Sequence, residues 1–157
     1  MHDAPIEGAG LSFIGSTREE NKDAIRLQPT VSDSILSEYG YLYGVADGMG
    51  GYEHGGIAST VALEVFFDAF YASAPGKSAA ALKSAMQQAN TAVQRESVRL
   101  GSVRMGTTLS AVNIVGSQLF ISHVGDSRVY LVRGRHTTCL TDDHTRVGEM
   151  VRMKLIP

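Results

Sequence analysis

The sequence predicts an α+β domain in which helices lie on a mainly antiparallel sheet. Three observations predict it: apolar-polar alternation in the early part of the chain, helical periodicity in the middle, and a return to strand signals joined by connections too short for parallel crossovers. A length of 157 residues suits one domain, residues 1–157. With 43% hydrophobic and 19% charged residues, there is enough apolar surface to offset chain entropy, which argues against intrinsic disorder. The formal net charge is −2, from 14 Lys and Arg against 16 Asp and Glu. No basic block interrupts the chain, so the electrostatic attraction on which nucleic-acid binders rely is missing.

Taken in order, Leu11-Ser-Phe13 and Ala24-Ile-Arg-Leu27 alternate as strands do, with a polar loop between them. Tyr39 to Ala46 is aromatic and β-branched with almost no polar side chain, the pattern of a mid-sheet strand covered on both faces. It runs into Asp47-Gly-Met-Gly-Gly51. From about Gly55 the period changes: Ile57, Val61, Val65 and Ala69 recur every four residues, with Ala58, Ala62 and Phe66 beside them, giving a first amphipathic helix. Pro75-Gly76 breaks it. Leu82, Ala85, Met86, Ala89 and Val93 form a second stripe, closed by Gly101. Strands are then predicted over Thr107 to Val115, Leu119 to Val124, Ser127 to Val132 and His136 to Leu140. The tail from Arg146 to Pro157 begins another helical pattern.

Cys139 is the single cysteine, which excludes an internal disulfide and any Cys-based zinc cluster and fits a reducing compartment. The N-terminus lacks the basic and apolar regions of a secretory signal. The most apolar stretch, Ile57 to Tyr71, carries Ser59, Thr60, Glu64 and Asp68, too polar for a bilayer span. A soluble, cytoplasmic protein without membrane or nucleic-acid partners is the expectation.

Asp47 ends a strand and precedes a glycine-rich turn. There it can be an ordinary turn residue, or can offer a carboxylate, with a neighbouring carbonyl oxygen, to a hard cation. A nucleotide P-loop is excluded because no Lys-Ser or Lys-Thr follows the glycines. Asp126 occupies a second such turn, Val124-Gly-Asp-Ser-Arg128. Period-two geometry puts Asn21 and Asp23 on one face of an early strand and Lys22 on the other. Arg18 is a surface charge by default, with a planar fork that also suits a phosphoryl group. Leu140-Thr-Asp-Asp-His-Thr145 supplies capping side chains that include Asp143 and His144. None of the histidines has the spacing of a zinc site.

In this order, Arg18-x-x-Asn21-x-Asp23, Val45-Ala-Asp-Gly-Met-Gly-Gly51, Gly55-x-x-Ala58-Ser59, Met105-Gly-Thr-Thr-Leu109, Val124-Gly-Asp-Ser-Arg-Val-Tyr130 and Leu140-Thr-x-Asp143-His144 resemble the motifs of the bacterial PPM, or protein phosphatase type 2C, family. The resemblance spans roughly Leu11 to the end. It implies a layered α-β-β-α sandwich and a metal-dependent phosphatase acting on phosphoserine and phosphothreonine in phosphorylated protein substrates. Carried over by position, Asp47 would bridge two Mn2+ or Mg2+ ions, with the Gly48 carbonyl and Asp23 serving one of them. Arg18 would hold the phosphate, and Asp126 resembles the ligand of a third metal. Asn21, Asp143 and His144 would support the site.

Three positions depart from the family pattern. Met49 stands where animal members have a histidine that resembles the general acid, with His54 a weak substitute. Lys22 stands where Glu or Gln is usual, and Tyr52 where His often follows the glycines. The family's later Asp-Gly and Asp-Asn motifs have no counterpart before Pro157, so a missing C-terminal portion is expected. Two divalent ions about 4 Å apart repel by roughly 17 kcal/mol at an effective dielectric of about 20, so the absence of two carboxylates should weaken the metal pair. The alternative function is therefore a catalytically impaired domain that binds a phosphoprotein or another partner. Missing late strands would also expose a sheet edge through which the chain could dimerise.

Overall fold

The computed structural model describes residues 6–27, 32–49, 54–101, 104–145, 150 and 153. These residues form the expected α+β arrangement, with three helices and two antiparallel sheets among them. The larger sheet has the order β1-β2-β3-β4, formed by Asp23–Arg26, Tyr41–Asp47, Leu109–Val115 and Gln118–Val124. The smaller pairs β5, Tyr130–Arg133, with β6, His136–Cys139. A short helix α1, Asp33–Tyr39, precedes β2, and the long helices α2, Gly55–Tyr71, and α3, Ser78–Arg99, cover one face of the larger sheet.

Alternation along β2 puts Leu42, Gly44 and Ala46 on the helix face, where all three are buried. Gly44 lets α2 approach closely, since a Cβ there would lie 2.8 Å from Leu63 and 3.1 Å from Phe67. Across β3 the same face carries Leu109, Ala111 and Asn113. The core closes with Phe66, Phe67 and Phe70 of α2 and with Ala81, Leu82, Ala85, Ala89 and Val93 of α3. The buried stripe of α2 is thus rotated by one residue from the expected one. Ala58, Ala62 and the three phenylalanines bury fully while Ile57 remains partly exposed, because the aromatic rings bury more area than the aliphatic row beside them.

Two expectations are corrected. β2 lies mid-sheet, but only its helix face is well covered: Tyr41 and Tyr43 are half-buried on the other face, and Val45 and Asp47 are exposed. The N-terminal arm supplies part of that cover, with Gly8 against Tyr43 and Gly10 against Ile25. Within the arm, Leu11–Phe13 is no strand. Leu11 and Phe13 are 89% and 77% exposed, since so short an alternation, between Gly10 and Ile14-Gly15, finds no ladder to join. The helix α1 was not expected, because seven residues without a buried side chain carry no periodic signal. The expected tail helix over 146–157 lies outside the described residues apart from Met150 and Met153. Among the described residues, no helix is long and apolar enough to cross a membrane.

Candidate functional site

The site lies at one end of the larger sheet, on the face away from α2 and α3. Asp23 opens β1, Asp47 closes β2, and they are direct cross-strand partners. The neighbouring Lys22–Gly48 pair carries the interstrand bond, from the Gly48 N–H to the Lys22 carbonyl at 3.0 Å. The Asp23 N–H turns instead to Asn21 Oδ1 at 3.1 Å, and Asp47 spends its backbone groups on Thr108. Asp23 and Asp47 therefore form the non-hydrogen-bonded type of pair, in which side chains stand closest. Burial pushes the Asp47 carboxyl up from the ordinary aspartate value, and the facing Asp23 carboxyl, by its charge and by a hydrogen bond, pushes it further. The Arg18 guanidinium opposes that shift and the Asp126 carboxylate adds to it, which puts Asp23, Arg18 and Asp126 within electrostatic reach of Asp47.

Local chemistry explains how the two strand ends are held. Asn21 accepts from the Asp23 N–H two residues on and donates its amide to Ser12 Oγ at 2.7 Å, pinning the N-terminal arm beside the strand. Lys22 points away from Asp23: its stem passes Gly55, and its Nζ lies 3.8 Å from Glu20. Ser59, fully buried in the first turns of α2, donates to the Lys22 carbonyl at 2.6 Å and so ties helix to strand. Gly48 is required where it stands, because a Cβ would strike the Gly55 carbonyl and lie 2.7 Å from the Lys22 oxygen. His54 sits at the N-cap position of α2, exposed and in the left-handed conformation with φ 60°.

Asp126 is carried by a different device. Its turn, between β4 and β5, is clasped to the segment after β6. Arg128 forks onto Asp143 with Nε–Oδ1 2.8 Å and Nη2–Oδ2 2.6 Å. The His144 N–H donates to the Gly125 carbonyl at 2.8 Å, and its ring lies 4.9 Å from that of His123. The fork, first through its hydrogen bonds, holds the Asp143 carboxyl below the usual range and raises the Arg128 guanidinium. Asp143 and His144 thus stand by the Asp126 turn. Ser59, Thr108, Ser127 and Arg128 also shape the site without having been singled out. The available signal was their place inside the quoted motifs, beside the charged residues.

Arg18 makes no ion pair among the described residues. Paired carboxylates beside an uncommitted guanidinium suit a hard divalent cation and an oxyanion together. The described residues hold no cluster of three or more His, Cys, Asp or Glu side chains placed to bind one ion.

Comparison with known proteins identifies the class. The family model described as Protein phosphatase 2C matches residues 8–153, and the chain belongs to that family. A similar curated protein is the serine/threonine phosphatase stp of Listeria monocytogenes serotype 4b, 36% identical over 113 residues, covering 69% of this chain and 45% of stp. The serine/threonine protein phosphatase PstP of Mycobacterium tuberculosis is 34% identical over 111 residues, covering 70% of this chain and 22% of PstP. The PstP catalytic domain solved with two manganese ions superposes with a TM-score of 0.74 at 30% identity, over 93% of this chain and 59% of that one. The chain spans about half the length, or less, of these curated relatives. The α+β fold with antiparallel sheets is that of the solved phosphatases.

Proposed function

We propose that this chain carries part of the active site of a protein serine/threonine phosphatase and uses Asp23, Asp47 and the Gly48 carbonyl to hold a divalent cation, Mn2+ or Mg2+. The observation that carries this reading is the direct cross-strand pairing of Asp23 with Asp47 on one face. The Asp47 carboxyl, raised by burial and by the facing Asp23 carboxyl, forms with it an oxygen-only site of the kind that hard cations relieve. When bound, such cations supply a water acidified toward neutral pH and charge to neutralise the phosphoryl oxygens.

The chain's own groups do the rest. Arg18, exposed and electrostatically close to Asp47, offers two parallel N–H donors to phosphate oxygens and orients the ester. Asn21 holds Asp23 by its backbone so that the carboxylate faces its partner. Asp126, whose charge reaches Asp47, can serve a further cation from its turn, with Asp143 and His144 securing that turn. No side chain is needed as nucleophile. We place the protein in a reducing compartment, because Cys139 is free and exposed.

A second reading is favoured by one observation, the absence of a three-residue acidic cluster among the described residues: a domain that binds phosphoprotein without turning it over. Mn2+-dependent hydrolysis of an aryl phosphate by the purified chain, with Asp47→Ala as control, separates the two. Hydrolysis abolished by Asp47→Ala supports the phosphatase. Phosphopeptide binding that is retained without turnover and survives Asp47→Ala supports the second reading.

A further inference from the structure

Thr108 touches both carriers of the acidic groups. It is 6% exposed and immediately precedes β3. Its N–H donates to the Asp47 carbonyl at 2.9 Å, and its Oγ1 accepts the Asp47 N–H at 3.0 Å. The same Oγ1 lies 2.7 Å from Ser127 Oγ, the residue after Asp126. Its methyl group and Cβ crowd Gly125 on the other side of Asp126, where a Cβ would come within 2.6 Å of Cγ2. Ser110, two residues further along β3 and 3% exposed, donates to the Ser127 carbonyl at 3.0 Å. The start of β3 and the residue before it therefore present two buried hydroxyls that grip the turn carrying Asp126, and one of them also grips the backbone of Asp47.

The donors and acceptors in this bracket are accounted for. Accepting the Asp47 N–H uses one lone pair of Thr108 Oγ1, and either hydroxyl of the Thr108–Ser127 pair can donate to the other. Valine in place of Thr108 keeps the shape but deletes the acceptor, leaving the Asp47 N–H without its partner and cutting the link to Ser127. Serine keeps the hydroxyl and loses only a methyl group.

We infer that Thr108 is a positioning residue that sets the spacing between the Asp47 and Asp126 carboxylates, so that groups from β2 and from the β4–β5 turn act as one site. The inference rests on the metal-binding reading above for its consequence, but the bracket itself can be tested without metal.

The experiment uses the purified chain and its Thr108→Val, Thr108→Ser, Ser127→Ala and Thr108→Val/Ser127→Ala variants. Each is titrated with Mn2+ by calorimetry, and its metal-free form is followed by amide hydrogen exchange. Thr108→Val should weaken Mn2+ binding by about tenfold or more, as loss of outer groups that orient metal ligands does. Thr108→Ser should stay within about twofold of the parent, and the double variant should bind no worse than Thr108→Val, because both substitutions cut one link. In the metal-free protein, Thr108→Val should speed exchange both at Asp47 and across 125–128. Mn2+ affinity unchanged in Thr108→Val, a Thr108→Ser variant as weak as Thr108→Val, or single effects that multiply in the double variant would each overturn the inference. If the parent chain binds no Mn2+, the metal reading falls, and exchange alone judges the bracket: acceleration confined to Asp47 overturns it, and acceleration at both segments upholds it. Should Thr108→Val fail to fold, Ser127→Ala decides by the same two readouts, with normal Mn2+ affinity and normal exchange at Asp47 overturning the inference.

Discussion

Asp23 and Asp47 sit on strands whose backbones pair over four consecutive residues, Asp23↔Asp47 to Arg26↔Gly44. Asp126 sits on a turn held by side chains: the Arg128–Asp143 fork, the Thr108–Ser127 and Ser110–Ser127 contacts, and the His144 bond to Gly125. The first pair is placed by sheet register, which the whole buried core enforces, since a one-residue slip would turn Leu42, Gly44 and Ala46 outward. The second carboxylate is placed by a few polar contacts, several of them exposed and each of modest net strength. Strand-borne carboxylates should therefore be hard to move and costly to lose, and the turn-borne one easier to displace.

The comparison breaks most directly at the carboxylates themselves. Asp47→Asn should weaken Mn2+ binding about 100-fold or more, whereas Asp126→Asn should weaken it less than about tenfold. Calorimetric titration of both variants checks the order, and a reversed order would refute the contrast. Next comes Gly48→Ala, whose Cβ meets the backbone of Gly55 and Lys22 and should destabilise the domain by about 3 kcal/mol in urea melts. Ser59→Ala removes the hydroxyl from the Lys22 carbonyl and should cost about 1 kcal/mol, read in the same melts.

The pH dependences of the two regions should run in opposite directions. The Asp143 carboxyl is depressed by its Arg128 fork, so the folded state binds fewer protons there. The resulting stabilisation is present above the ordinary aspartate pKa of about 4 and is lost as pH falls through the lower folded value. Acidification below about pH 4 should thus lower the amide protection factors at His144 and along 125–128 before it does so in β1 and β2, and Asp143→Asn should remove the effect. Asp47 is raised, by burial first and then by Asp23, so in the metal-free protein its contribution weakens as pH climbs from about 4 through the raised folded value. Asp47→Asn should flatten that slope in metal-free melts.

Much of the architecture was legible because its signals are local. Four-residue spacing marked α2 and α3, Pro75-Gly76 marked their junction, and short turns marked the antiparallel strands. Asp23, Asp47 and Asp126 were legible through their turns and motif order. The seven-residue α1 was not, since it buries nothing, and Leu11–Phe13 was read as a strand from too short an alternation. The neutral hydroxyls of Ser59, Thr108 and Ser127 carried no signal beyond their place inside the motifs, because a hydroxyl's role depends on what stands opposite it.

Residue types, periodicity and turn chemistry alone determined the two long helices, the main strands, their order and the acidic groups available at strand ends. Only the tertiary structure decided that Asp23 faces Asp47, that Thr108 reaches both Asp47 and Ser127, and that Arg128 meets Asp143. Those meetings join segments from 15 to 61 residues apart along the chain. Strand register and loop closure are set by the packing of distant apolar faces, which no window of local sequence contains.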